Sequence, residues 1–142
     1  MAITQAVCTS FKQEILVEGH NFTNGQDTFK IALYTSSASL DASTTAFTTS
    51  NEVSDSGSYS SGGGSLTSVT PTTSGTTAIC DFADVSFTSA SFTANGALIY
   101  NSSASNVAVC AIAFGSDKTA TNGTFTIQFP TADASNAIIR LA

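Results

Sequence analysis

The stretch FTANGALIYNSSASNVAVCAIAFG, Phe92 to Gly115, constrains this chain more than any other. It carries no charged residue, and its two apolar runs, ALIY and VAVCAIAF, are apolar on both faces around a polar NSSASN connection. A strand pair that faces water on one side alternates apolar with polar residues. This pair does not, so it needs cover on both sides. The rest of the sequence has to supply that cover.

One cover comes from further strands. TFKIALY (28–34), SLTSVT (65–70), TTAICDFA (76–83), VSFTS (85–89), SFTANGALIY (91–100), NVAVCAIAFG (106–115), GTFTIQFP (123–130) and AIIRLA (137–142) are rich in Thr, Val, Ile and Phe. They are separated by Asn, Gly, Ser and Asp at short spacing, the pattern of an all-β sandwich or barrel. Asn95-Gly96 falls inside a strand pattern and predicts a bulge, whereas Asn122-Gly123 predicts a turn. The second cover is expected from the N-terminus. Ile3, Val7, Phe11 and Ile15 recur every fourth residue, joined by Cys8 and Leu16, which predicts one amphipathic helix over about 3–18. Gly19 suits the left-handed residue that follows such a helix. The fold expected is therefore mainly β: one domain over 1–142, an antiparallel β-sandwich or barrel-like body with a single N-terminal helix. Its structural residues are Val7, Phe11 and Ile15 on the helix and Ile99, Val109 and Ile112 on the hairpin.

Between these parts, residues 41–65 are rich in Ser, Thr and Gly and end in SDSGSYSSGGGS. A long excursion of this kind tends to be functional or mobile. It is expected to lie on the surface as a candidate contact loop carrying Tyr59, Gly62, Gly63 and Gly64. Its tip at 54–65 is expected to project, or to order only on contact.

Composition narrows the function. Only 10% of residues are charged, against about 25% in an average domain, while the 142 residues include 22 Ser and 22 Thr. The net charge is −6, and the four cations, Lys12, Lys30, Lys118 and Arg140, are scattered; clustered cations are what phosphate neutralisation draws on, so no nucleic-acid partner is expected. No apolar run is long enough for a membrane helix, and no membrane partner is expected. The start, MAITQAVCTSFKQEI, lacks the basic region and unbroken apolar stretch of a signal peptide. Cys8, Cys80 and Cys110 include no close pair that would suit zinc and are expected as buried free thiols, fitting synthesis in a reducing cytoplasm, where the sequons at Asn21, Asn101 and Asn122 carry no meaning.

The residues that could carry chemistry are few. His20 is the sole histidine, and a contact with the helix C-terminal carbonyls or a loop is its expected role. Asp81 and Asp84 are the best carboxylate pair and read as strand-end or turn residues, with a Ca²⁺ site as the sharper alternative. SSGGGS lacks the GK[ST] of a phosphate loop. Asp117 and Lys118 read as turn residues. The expectation is no catalytic residue, no metal and no cofactor: not an enzyme.

At GALIYNSS (96–103), AFGSDKTATNGTFTIQFP (113–130) and NAIIRLA (136–142), with SFKQEILVEGHNF (10–22) and DTFKIALYTSSASL (27–40) upstream, the chain resembles a group of small tailed-phage proteins described as virion structural proteins. The resemblance covers nearly the whole length. It departs from the group's pattern at Asn95, where a basic residue is common, and at Ala113, where an acidic or polar one is. It implies a late, non-enzymatic particle component, made in the host cytoplasm and located in the virion. The first expectation is a capsid decoration (cement) protein, a homo-oligomer for which a trimer is one form that would match the local three-fold positions of an icosahedral shell, bound in many copies to the major capsid protein. The alternatives are a tail, baseplate or adaptor component, or a receptor- or carbohydrate-binding module of the virion using the 41–65 loop.

Overall fold

The computed structural model describes residues 2–142. The fold is mainly β, a β-sandwich-like arrangement of two antiparallel sheets with one short N-terminal helix. The strands are β1 (Ala6–Val7), β2 (Phe29–Tyr34), β3 (Gly64–Ser65), β4 (Ser68–Ser74), β5 (Thr77–Phe82), β6 (Val85–Asn101), β7 (Val107–Ile127) and β8 (Ile139–Leu141). The larger sheet runs β1-β7-β6-β2-β3 and the smaller β4-β5-β8.

The four runs expected between 85 and 130 join into two very long strands, β6 and β7. They stay paired because their irregularities are bulges, not turns. The register shifts between Ala94 and Gly96, as Asn95-Gly96 predicts, and again on either side of Ala90, opposite Gly123. Asn122 there has φ 47°. It kinks β7 and does not end it, correcting the expected turn. Asn tolerates the left-handed conformation locally, so an Asn-Gly pair can serve either role, and the pairing with β6 decides.

Partners across a sheet share a face. Phe29, Ile31 and Leu33 of β2 oppose Asn101, Ile99 and Ala97 of β6, and Ile99 opposes Cys110 of β7. This face meets the smaller sheet through aromatic rings: Phe29 lies 5.7 Å from Phe82 of β5 and 4.3 Å from Phe22, stacked at 9°. The opposite face carries Ala32, Tyr34, Leu98, Tyr100 and Ala108, all buried. Its cover is the 35–63 segment. Phe47 stacks on Tyr100 at 4.7 Å, and the Tyr34 hydroxyl donates to the Thr48 carbonyl.

That arrangement corrects the expected second cover. The helix packs on the same face as the smaller sheet, where Phe11 meets Phe22 and His20. It is also shorter than its pattern implies: α1 spans Thr9–Glu14 and continues as one 3₁₀ turn, Ile15–Val17. Of the four-residue stripe, only Phe11 is buried helical surface. Ile3 bridges Leu40, and Val7 pairs with Cys110. The open edge of β7 takes Ala6 and Val7 as strand because a ladder satisfies backbone groups that a lone helical turn would leave unpaired. Cys8, extended at ψ 139°, gives its N–H to the Val109 carbonyl before the helix begins. At the far end, Glu18 and not Gly19 takes the left-handed conformation, with φ 59°. Gly19 is needed for space: a Cβ there would lie 2.8 Å from the Glu14 carbonyl oxygen.

The 41–65 segment is corrected as well. It is a cover and not a projecting loop. Val53 donates its N–H to the Leu33 carbonyl, and the Tyr59 hydroxyl accepts the Leu33 N–H at 2.9 Å. Thr35 N–H reaches the Asn51 carbonyl, and Leu66 N–H the Phe29 carbonyl. The outer edge of β2 is thus sealed residue by residue, one way folded sheets avoid edge-to-edge association.

Candidate functional site

Tyr59 is fully buried, 0% exposed. Its ring meets Phe87 at 5.0 Å and Phe92 at 5.5 Å, and its hydroxyl donates to Glu52 Oε1 at 2.8 Å. The same carboxylate accepts the Gly62 N–H and the Ser61 hydroxyl. Gly62 is buried beneath the Tyr100 hydroxyl, which donates to its carbonyl. Gly64 pairs with Ile31 of β2, and Gly63 lies against the Ile31 carbonyl. Tyr59 and Gly62 of the expected contact loop are therefore buried, not presented to a partner. Gly63 and Gly64 are demanded by close approach and Gly62 by its φ of +94°, and Tyr59 has no surface to offer a partner.

His20 sits in a buried polar network with its side chain 0% exposed. Nε2 lies 3.2 Å from Glu14 Oε1, and Nδ1 3.1 Å from Asn101 Nδ2. Asn101 Nδ2 also donates to Asp27 Oδ2 at 2.8 Å, while its Oδ1 accepts the Ser103 N–H. Those two acceptor and donor neighbours fix the amide orientation. A carboxylate only accepts, so Nε2 carries the proton toward Glu14 and Nδ1 accepts from Asn101. Both ring nitrogens are engaged. The expected carbonyl contact is replaced: Gly19 N–H takes the Glu14 carbonyl, and the imidazole takes the side chain.

Asp84 Oδ1 accepts the Phe129 N–H at 2.8 Å, and Asp81 stands in β5 opposite Val69. Burial, then the Asp84 charge, pushes the Asp81 carboxyl up. Among the described residues, no group of three His, Cys, Asp or Glu side chains is placed to hold a metal ion. No helix among them is long and apolar enough to cross a membrane.

The three thiols are free. Burial, reinforced by Asp41 and Glu14, pushes Cys8 from 9.0 up to about 11; burial, with Cys8 nearby, pushes Cys110 up to about 12. The Tyr100 hydroxyl is likewise pushed from 10.0 up to about 12, mainly by burial. In each case the folded chain holds its proton beyond the pH at which the unfolded chain loses it. Stability is therefore unaffected below about 9 and declines as pH rises from there through about 12. Denaturant midpoints are expected to be level from neutral pH to 9 and to fall above it. A midpoint unchanged at pH 11 would contradict this burial.

The surface feature that stands out lies at the other edge of the larger sheet. Past Ala111, β7 has no partner strand on its outer side among the described residues; the Ala113 N–H reaches the Gln5 side chain at 3.3 Å. Between this edge and the C-terminal segment runs a groove of about 770 Å³. Ile112, Phe114, Phe125 and Ile138 give it an apolar lining, and Lys118 and Arg140 stand exposed at its rim. Half of the chain's four cations line this groove, and no Asp or Glu does. Arg140 spends one nitrogen on the Ser135 carbonyl at 2.7 Å. Lys118 is a strand residue of β7 and not the expected turn residue. The opposite kind of feature lies at the end of α1. Leu16 is 82% and Val17 66% exposed, the two most exposed large apolar side chains among the described residues. Sequence periodicity placed Leu16 on the buried stripe; only the early break of the helix turns it outward.

The geometry defines a β-sandwich-like protein with one sealed sheet edge, one open edge beside an apolar groove, and a buried histidine network. No family model, curated protein or solved structure matches this chain significantly.

Proposed function

We propose that this chain is a non-enzymatic structural protein of a tailed-phage virion, with capsid decoration as the leading assignment. The resemblance across residues 10–40 and 96–142 supplies the particle context. The observation that supports a docking role is the groove at the open β7 edge, an apolar surface with polar rims on a body otherwise covered by hydroxyl side chains. A particle protein needs such a surface to join its neighbours in the shell, tail or baseplate, other copies of itself included. The sugar-binding alternative loses its motive: Tyr59 and Phe47, the aromatics of the 41–65 segment, are packed inward.

Quantitative mass spectrometry of purified virions tests the assignment. Hundreds of copies per particle are expected for a head-surface protein; tens or fewer, in multiples of three or six, would move it to the tail. Protein stripped from heads is expected to rebind similarly at about 50 mM and about 500 mM salt, because apolar contact is screened little. Binding abolished at the higher salt would overturn the decoration reading.

A further inference from the structure

We infer that Leu16, Val17 and Glu18 of one copy seat in the β7-edge groove of a second copy. This gives the docking groove of the reading above a second copy of the chain as its occupant, and its test does not depend on the particle role. The occupant follows from shape and charge. The knob offers two adjacent apolar side chains and one carboxylate: Leu16 and Val17 lie on a 3₁₀ turn, and Glu18 is exposed beside them. The groove offers the complement, an apolar lining with Lys118 and Arg140 at the rim. Among the described residues, Glu18, Lys118 and Arg140 form no ion pair. Buried in an interface, the Leu-Val pair would leave water, and the carboxylate would meet cations at the rim, where charge sets orientation and partner choice.

Two details favour this pairing. Glu18 holds a left-handed φ of 59° that side-chain-bearing residues rarely adopt, which turns the chain sharply and leaves Leu16 and Val17 at its apex. The groove, in turn, begins at Gln5 to Val7, before α1, while the knob lies beyond the far end of α1. None of the knob residues lines the groove of its own chain. The contact joins different surfaces of two copies. A heterologous contact of this type closes into a ring when its rotation permits and otherwise extends into a filament. A three-copy ring is the closed form that the decoration reading would use.

The test is sedimentation velocity on the full chain. The wild type is expected to form an oligomer, and Leu16→Ser/Val17→Ser, altered only at exposed positions, is expected to weaken association at least tenfold. Lys118→Glu/Arg140→Glu should do the same from the groove side. Mixing the two variants is expected to give a one-to-one complex that grows no further, since the pair retains one intact knob and one intact groove. Glu18→Lys mixed with Lys118→Glu/Arg140→Glu should recover association lost by either alone, a rescue that misfolding cannot produce. A wild type that remains monomeric, a knob variant of unchanged mass, or a mixture with no complex would overturn the inference. Self-association without binding to heads would overturn the decoration reading and leave this one standing.

Discussion

Gly63→Ala is expected to cost more than about 4 kcal/mol, enough to leave much of the protein unfolded, because a fixed clash is among the few mechanisms that reach that size. Gly63 has φ +80°, and a Cβ there would lie 1.8 Å from the Ile31 carbonyl oxygen and 2.8 Å from the Ala32 Cα. Both atoms belong to the backbone of β2, which is held by β6 and cannot move aside cheaply. Gly75 is the control. It has φ +61° with nothing within 4 Å, so Gly75→Ala should cost about 1–2 kcal/mol for the left-handed conformation alone. Denaturant melts of the two variants separate clash from backbone preference. If they lose similar stability, the close approach of the 60–64 turn to β2 is wrong, and with it the sealing of that edge.

Phe11→Ala is expected to cost about 3–5 kcal/mol, the range for truncating a buried phenylalanine. The ring is 1% exposed and packs against His20 at 4.8 Å and Phe22 at 5.9 Å, edge-on to the latter. A six-residue helix has almost no stability of its own, so losing this anchor releases α1. His20, which shares that contact and takes Glu14 from the same helix, should loosen with it; the histidine side-chain NMR signal would sharpen and shift. Leu16→Ala, two-thirds of a turn beyond the anchored segment and exposed, should stay within about 0.5 kcal/mol of wild type. A Phe11 variant losing less than about 1 kcal/mol would make the N-terminal segment a free arm.

The sequence shows the fold class clearly, because Thr, Val, Ile and Phe recur at strand spacing and the central hairpin is apolar on both faces. Asn95-Gly96 marks its bulge for the same local reason. What covers that hairpin is less visible. Phe11 and Ile15 carry a genuine helical pattern, yet Val7 obeys the unpaired edge of β7, a demand set by residues about a hundred positions away, and Ile3 bridges Leu40. The 41–65 segment misleads in the other direction. Its apolar residues, Phe47, Val53 and Tyr59, fall at no regular spacing, and its work is done by backbone and hydroxyl hydrogen bonds that leave no period. Ser, Thr and Gly suit a flexible tip and a close-packed turn equally well, and only the neighbouring backbone tells them apart. Lys118, Arg140 and the lining of the groove come from separate segments, so no local motif announces them, and the outward turn of Leu16 and Val17 depends on where the helix stops.

The pairing of β1 with β7 also sets an order in time. Ala6 and Val7 are made before their partners, Ala111 and Cys110, which come more than a hundred positions later; β8, later still, closes the smaller sheet against β5. A chain emerging from the ribosome can fold the β6–β7 hairpin as a local unit, but β1 must wait for that hairpin and the smaller sheet must wait for β8. Contacts so distant in sequence slow folding, and until they form the outer edge of β7 lies bare along its length. Synthesis therefore passes through a stage in which a newly made copy exposes more unpaired strand than the finished one, and in a cell making many copies at once that interval is where misassociation competes with completion.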